Sequence, residues 1–199
     1  SDLPLKDKKV LISAGPTLEK LDPVRFISNQ SSGKMGFSLA EEALKLGSNV
    51  TLVSGPTNQS ISSKNIKLIK IKTSDEMHSS ILENYHNADI VIRAAAVSDY
   101  KPIEFSKKKV KKGNKEINIK FEKSKDILKE LGENKVNQIL VGFALENDNE
   151  LLNAKNKLKN KNLDLIVLNS LNDKGAGFGY DTNKISIINK SNKIVAYDL

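Results

Sequence analysis

Cysteine and tryptophan are absent from the 199 residues, and histidine occurs only as His78 and His86. Without cysteine there is no disulfide framework, no thiolate nucleophile and no cysteine-ligated zinc, and two histidines are too few for a histidine-rich metal centre. Aromatic residues make up only 5% of the chain, so the core has to be built from Ile, Leu and Val. No apolar run is long enough to span a bilayer, and the opening SDLPLKDKK lacks the apolar stretch of a secretory signal. The expectation is a cytoplasmic chain with no membrane partner, folded as a single domain over 1–199.

Lysine, by contrast, is plentiful. Lysine and arginine number 32 against 24 aspartates and glutamates, and the resulting net charge of +8 directs attention to anionic partners. Much of the excess lies in Lys107, Lys108, Lys109, Lys111 and Lys112, and in Lys155, Lys157, Lys159 and Lys161. No interleaved aromatics, RNP-like motif or helix-turn-helix pattern accompanies them, so a nucleic-acid partner is not expected, and a solvated basic surface accounts for their number.

Apolar runs alternate with amphipathic ones along the chain. Lys9–Ala14 reads as a buried strand ended by Gly15-Pro16. Residues 34–46 carry Met35, Leu39, Ala43 and Leu46 at helical spacing, with Gly47 as the cap, and Asn49–Ser54 is a second strand running into Gly55-Pro56. Strand, helix and strand in that order imply a crossover unit and a parallel sheet. The pattern predicts further strands at 66–71, 88–96, 117–121, 138–144 and 163–168. It predicts helices at 75–85, capped by Ser74, and at about 148–161, with Leu151, Ala154 and Leu158 as the buried stripe. A β-hairpin at 184–189 and 193–197, around Ser191-Asn192, closes the sequence. Residues 99–115 lack periodicity, as functional or disordered loops do. The fold class that follows is α/β, a Rossmann-like doubly wound, mostly parallel sheet with a C-terminal β-hairpin. Ligands of such sheets bind beyond the carboxyl ends of the strands, near the point where strand order reverses.

At those ends the residues are unusual. Ser31-Ser32-Gly33 directly precedes the first helix, where hydroxyls, unpaired N–H groups and the positive end of the helix dipole form an anion cradle; plain capping by either serine is the competing explanation. Gly33 and Gly36, lacking Cβ, would let a phosphate approach the backbone. There is no GxGxxG, and the second strand ends Val53-Ser54-Gly55 with no acidic residue for a nicotinamide ribose; nor is there a GxxxxGK[ST]. The rival readings are a Rossmann-type NAD(P)-dependent oxidoreductase and a non-catalytic nucleotide- or nucleic-acid-binding module.

The segments ISAGPTLEKLDPVRFISNQSSGKMG, VTLVSGP, AAAVSDYKP, KKKVKK, DILKEL, VGFALE and KNLDLIVLN strongly resemble the phosphopantothenoylcysteine synthetase domain, also called phosphopantothenate-cysteine ligase. That resemblance implies a two-step ligation of 4′-phosphopantothenate and L-cysteine through an acyl-cytidylate formed from CTP, assisted by Mg²⁺ or Mn²⁺. It also implies a homodimer without flavin in this domain, fused to or bound by a phosphopantothenoylcysteine decarboxylase. Such chemistry needs positioning and charge neutralisation more than a protein nucleophile.

Residue by residue, the resemblance implies that Asn29 holds the acyl carbonyl of the intermediate and that Lys109, on a mobile loop, reaches the reacting phosphates. Arg25 resembles the arginine of the phosphopantothenate side, where a guanidinium suits phosphate or carboxylate. Gly15, Thr17, Ser31, Ser32, Gly33, Ala95 and Ala96 fall in the matching ligand loops. Asp99 matches an aspartate that holds the metal or accepts from a ribose hydroxyl, and the residues leave both roles open. Phe143 resembles the aromatic beside the base. Lys157 and Lys161 match two nucleotide-contacting lysines; helical periodicity places Lys155 and Lys159 equally well on the other flank of the buried stripe. Lys125, Asp126, Ile127 and Leu128 match a nucleotide-contacting turn, with Lys125 where the family commonly has proline.

Overall fold

The computed structural model describes residues 3–111, 113, 116–170 and 184–197. Lys9–Ala14 (β1) is buried from its second residue onward, and the long motif that follows contains a small antiparallel pair, Leu18–Lys20 (β2) and Phe26–Ser28 (β3). Lys34–Lys45 (α1) leads to Asn49–Ser54 (β4) and Ile66–Lys70 (β5). Ser74–Tyr85 (α2) precedes Ile90–Arg93 (β6), and Tyr100–Pro102 (β7) pairs with Phe121–Lys123 (β8) as an arm beside the main sheet. Then come Ile127–Glu133 (α3), Ile139–Glu146 (β9), Glu150–Asn160 (α4), Leu165–Ser170 (β10) and the hairpin Ile185–Asn189 (β11) and Ile194–Tyr197 (β12).

The eight-stranded sheet runs β12-β11-β10-β9-β6-β1-β4-β5. Strands β5, β4, β1, β6, β9 and β10 are parallel, while β11 and β12 close the edge antiparallel. The chain moves outward from β1 through β4 and β5, then returns to β6 on the other side of β1, which makes β1/β6 the point of reversal. The expected fold class holds.

Alternation along β1 divides the core. Val10, Ile12 and Ala14 join Phe37, Ala40 and Ala43 of α1, whereas Leu11 joins Met77, Ile81, Leu131, Ala154 and Leu158 on the opposite face. The Tyr85 side chain, wholly buried there, donates its hydroxyl to the Leu131 carbonyl at 2.7 Å and so ties α2 to α3. Burial, with the nearby Asp164 charge, pushes this phenol up to about 12. Tyr85→Phe leaves that carbonyl short of a donor; the expected loss is about 1 kcal/mol, read as a melting temperature lower by roughly 2–4 °C.

Several boundaries differ from those the pattern predicts. The cap of α2 is Thr73, in a capping box with Glu76, and Ser74 is already helical, its N–H taken by the buried Glu19. Residues 94–96 leave the sheet after Arg93, and 117–120 form no strand, because only Phe121–Lys123 finds a partner, leaving Ile117 and Ile119 exposed. In α4, Ala154 and Leu158 are buried but Leu151 is 47% exposed, so burial starts one turn later than the stripe implied.

Candidate active site

The loops after β1 and β6 are stitched together. Ala94 N–H donates to Ser13 O at 3.2 Å, Ala96 N–H to Gly15 O at 2.9 Å and Thr17 N–H to Ala96 O at 3.2 Å. Thr17, wholly buried, accepts the Ser98 N–H on its hydroxyl at 3.0 Å. Backbone of the chain itself therefore fills the point of strand reversal. Asn29 reaches this seam from β3's exit: its amide donates to Ala96 O at 2.9 Å, and the exposed group keeps a second N–H.

The serines precede α1 as expected, yet neither caps it in the usual way. Gly33 holds the N-cap with φ 78°, a left-handed conformation that favours glycine, while Ser31 and Ser32 hydroxyls accept from Gly33 and Lys34 N–H at 3.3 Å each. Gly36 lacks a Cβ for a different reason from ligand approach. A Cβ there would lie 2.4 Å from Ala14 Cβ, so α1 sits on β1 backbone to backbone at that point.

The main cavity lies one strand further along, beyond β6 and β9. It holds about 540 Å³, within the range of small-molecule sites. Ala95 and Asp99 border it from the β6 exit, Phe143 from β9, Lys125, Asp126, Ile127 and Leu128 from the start of α3, and Lys157 and Lys161 from α4. Periodicity left two lysine pairs on α4 equivalent; the fold separates them, since Lys155 and Lys159 border a different hollow facing Lys190.

The cavity is electropositive and its charges are coupled. Lys157 is half-buried and donates to Phe143 O at 2.7 Å; burial pulls its ammonium below the ordinary lysine range despite attraction from Glu146 and Asp99. Asp126 accepts the Lys129 N–H as the cap of α3 and also accepts from Lys161. Burial would raise this carboxyl, but those donors outweigh it and hold it low. Asp99 is exposed; its backbone carbonyl accepts the Ser124 N–H at 2.9 Å, while its carboxylate makes no hydrogen bond among the described residues. Among the described residues no three carboxylates or histidines gather as a protein-only metal cage. One free carboxylate at a phosphate-sized basic cavity does fit Mg²⁺, which is commonly held by one or two carboxylates plus substrate phosphates.

Arg25 and Lys109 lie outside the cavity walls. Arg25 donates through Nε (3.0 Å) and Nη2 (2.6 Å) to the buried Asp22, and Nη2 also reaches Val110 O. Asp22 in turn accepts from Val24, Arg25 and Val110 N–H. This clasp pins the lysine loop beside Lys109; Lys112 and Lys115 fall outside the described residues. Burial alone would raise the Asp22 carboxyl, but the backbone donors and the Arg25 guanidinium outweigh it and hold it well below the carboxylate range. A depressed carboxyl stabilises the fold above its unfolded pKa of about 4 and loses that contribution as pH falls through the folded value. Asp22→Asn is therefore expected to melt below the wild type at neutral pH, with the gap constant above about pH 5 and narrowing below about pH 4, as followed by thermal melts across pH.

Comparison with known proteins supplies the remaining observation. The family described as DNA/pantothenate metabolism flavoprotein C-terminal domain matches residues 5–199. This chain belongs to that family. A protein named cysteine/cysteine sulfinic acid decarboxylase, from an unknown prokaryotic organism, is 52% identical over 200 residues, covering 100% of this chain and 56% of the relative. The coenzyme A biosynthesis bifunctional protein CoaBC of Borreliella burgdorferi is 48% identical over 189 residues, covering 94% of this chain and 47% of the relative. The chain thus spans about half the length of the curated relatives it matches. The solved C-terminal domain of a CoaBC protein superposes with a TM-score of 0.84 at 39% identity, covering 100% of this chain and 89% of that one. The synthetase-domain resemblance in the sequence and the family's match agree.

Within this family member the anticipated residues form four groups rather than one: the cavity, the seam with Asn29, Ala96, Gly15 and Thr17, the start of α1 with Ser31, Ser32 and Gly33, and the Arg25 clasp near Lys109. Sequence reasoning missed Arg93, Tyr100, Lys123 and Ser124, which also border the cavity. For Arg93 a signal existed: an arginine ends the strand Ile90-Val91-Ile92 where a buried residue is due. No helix among the described residues is long and apolar enough to cross a membrane.

Proposed function

We propose that this chain ligates 4′-phosphopantothenate to L-cysteine at the expense of CTP. A carboxylate oxygen of phosphopantothenate attacks the α-phosphorus of CTP, the bond to the β-phosphate breaks, and pyrophosphate leaves. The cysteine amine then attacks the acyl carbon of the acyl-cytidylate, the C–O bond to CMP breaks, and the nitrogen loses a proton as the amide forms. The observation that carries this reading is a basic cavity bordered by the residues of the family's own motifs, Asp99, Asp126, Phe143, Lys157 and Lys161, in a chain 48% identical to a CoaBC protein.

In this reading Lys157 and Lys161 neutralise the triphosphate, Phe143 lies beside the base, and Asn29 presents its spare N–H to the oxygen that gains charge in the transition state. Lys109 reaches the phosphates from the loop held by Asp22, and Arg25 meets the phosphopantothenate side. Mg²⁺ or Mn²⁺, held by Asp99 and the phosphates, would supply further charge neutralisation. The exposed Tyr100, Ile103, Phe105 and Phe121 of the β7–β8 arm support a homodimer, since apolar surface of this kind marks association. A decarboxylase half completes the assembly.

Pyrophosphate release that requires both CTP and phosphopantothenate, and a cysteine-dependent amide product, test this directly. Release with ATP in place of CTP would correct the nucleotide. Absence of release with either, or a hydride-linked absorbance change instead, would defeat the proposal.

A further inference from the structure

Arg93 ends β6 on the same face as the buried Val91, with Ser13 and Gly142 as its neighbours across the sheet. The residue is 8% exposed and borders the cavity. Its Nε and Nη1 are buried without a hydrogen-bond partner among the described residues. Of the carboxylates on the cavity wall, Asp126 is occupied by Lys161 and by the cap of α3, and Asp99 forms no ion pair with Arg93. A buried guanidinium with no acceptor is rare and destabilising, because its hydration is lost and nothing replaces it. Burial accordingly lowers its pKa to about 10, which still leaves it charged at neutral pH.

Cations in this cavity form a gradient. Lys123 and Lys125 are exposed, Lys157 and Lys161 half-buried, and Arg93 buried, with apolar Ala95, Ile127 and Phe143 nearby. Exposed ammonium groups suit phosphates; an apolar recess with one fixed polar group suits the flat end of a ligand. A guanidinium offers parallel N–H donors and no acceptor, so it selects an edge with two adjacent acceptors. Cytosine presents such an edge in O2 and N3. Uracil carries a proton on N3, and adenine places its amino donor beside N1 and N7 and leaves N3 with no second acceptor next to it.

We propose that Arg93 is the base-reading residue of this cavity, donating to O2 and N3 of cytosine and so selecting cytidine nucleotides. The assignment rests on the CTP reading above and deepens it. The cost of holding the guanidinium unpaired is relieved when the base arrives, so specificity and ligand-induced stability come from one group.

Titration calorimetry with CTP, UTP, ATP and GTP on wild type, Arg93→Met and Arg93→Lys, with melts of the ligand-free proteins, tests it. Wild type is expected to prefer CTP. Arg93→Met should lose about tenfold in CTP affinity with little change for UTP or ATP, and its ligand-free form should melt above the wild type because an unpaired buried charge is gone. Arg93→Lys, which keeps the charge but not the paired donors, should lower the CTP/UTP ratio with unchanged circular dichroism, and carries the test if the Met variant folds poorly. An unchanged ratio in both variants overturns the assignment alone. So do an equal loss for every nucleotide, which marks a phosphate or ribose contact, and tightest wild-type binding of GTP, whose O6 and N7 also pair with arginine. A folded wild type that binds no nucleotide overturns both this assignment and the ligase reading.

Discussion

Asn29→Ala is expected to slow ligation about 100-fold at saturating substrates, the loss measured when a single donor to a developing oxyanion is removed. The side chain is exposed, and among the described residues its one hydrogen bond is to Ala96 O at the seam between the β1 and β6 loops. In the proposed reaction that bond aims the amide and leaves its second N–H for the substrate. Because the donor acts on charge that appears only in the transition state, kcat should fall while KM for CTP stays close to wild type. Asn29→Asp, isosteric but without donors, should be at least as slow. The Thr17 bonds to Ala96 and Ser98 hold the seam independently, so circular dichroism and melting temperature should change little. Full turnover by Asn29→Ala would remove this residue from the chemistry.

Gly36→Ala is the corresponding expectation for the fold. Besides its 2.4 Å approach to Ala14 Cβ, the added Cβ would stand 3.0 Å from Ala14 Cα and 3.1 Å from Ser13 O, and strand backbone of this kind does not yield as the end of a flexible side chain does. The helix must lift from β1, disturbing the contacts of Phe37 and Ala40 beneath it. Overpacking of this type costs about 1–3 kcal/mol, or roughly 2–12 °C in melting temperature for a chain of this size. In an exposed helix interior the same change would stabilise, so even a neutral melt would contradict the packing described here.

Period-2 and period-3.6 patterns were sufficient for the parallel sheet, since runs such as Val10-Leu11-Ile12 and Leu52-Val53 are buried on both faces and have no other environment to suit them. The same patterns misread Ile117, Ile119 and Phe121, whose alternation finds a partner strand only at its last residue, and Leu151, whose helical turn lies outside the core. Tertiary position, not propensity, decides such cases. At the site, periodicity leaves the α4 lysines as two equivalent pairs, because a helix's own geometry does not say which flank faces a cavity, and only the family resemblance singles out Lys157 and Lys161. Arg25 looked like a free anion ligand; its engagement by Asp22 depends on a buried carboxylate three residues away that carries no mark of burial in the sequence.

The pairing of Lys161 with Asp126 gives ligand entry the character of an exchange. A phosphate that takes the ammonium displaces a carboxylate already seated there, and affinity then reflects the difference between two counter-ions rather than the whole of one attraction. The displaced carboxylate still holds the first turn of α3 and remains ready to reclaim its partner. Under the proposed function, a basic pocket arranged in this way grips a spent nucleotide less tightly than its charge suggests, which eases product departure.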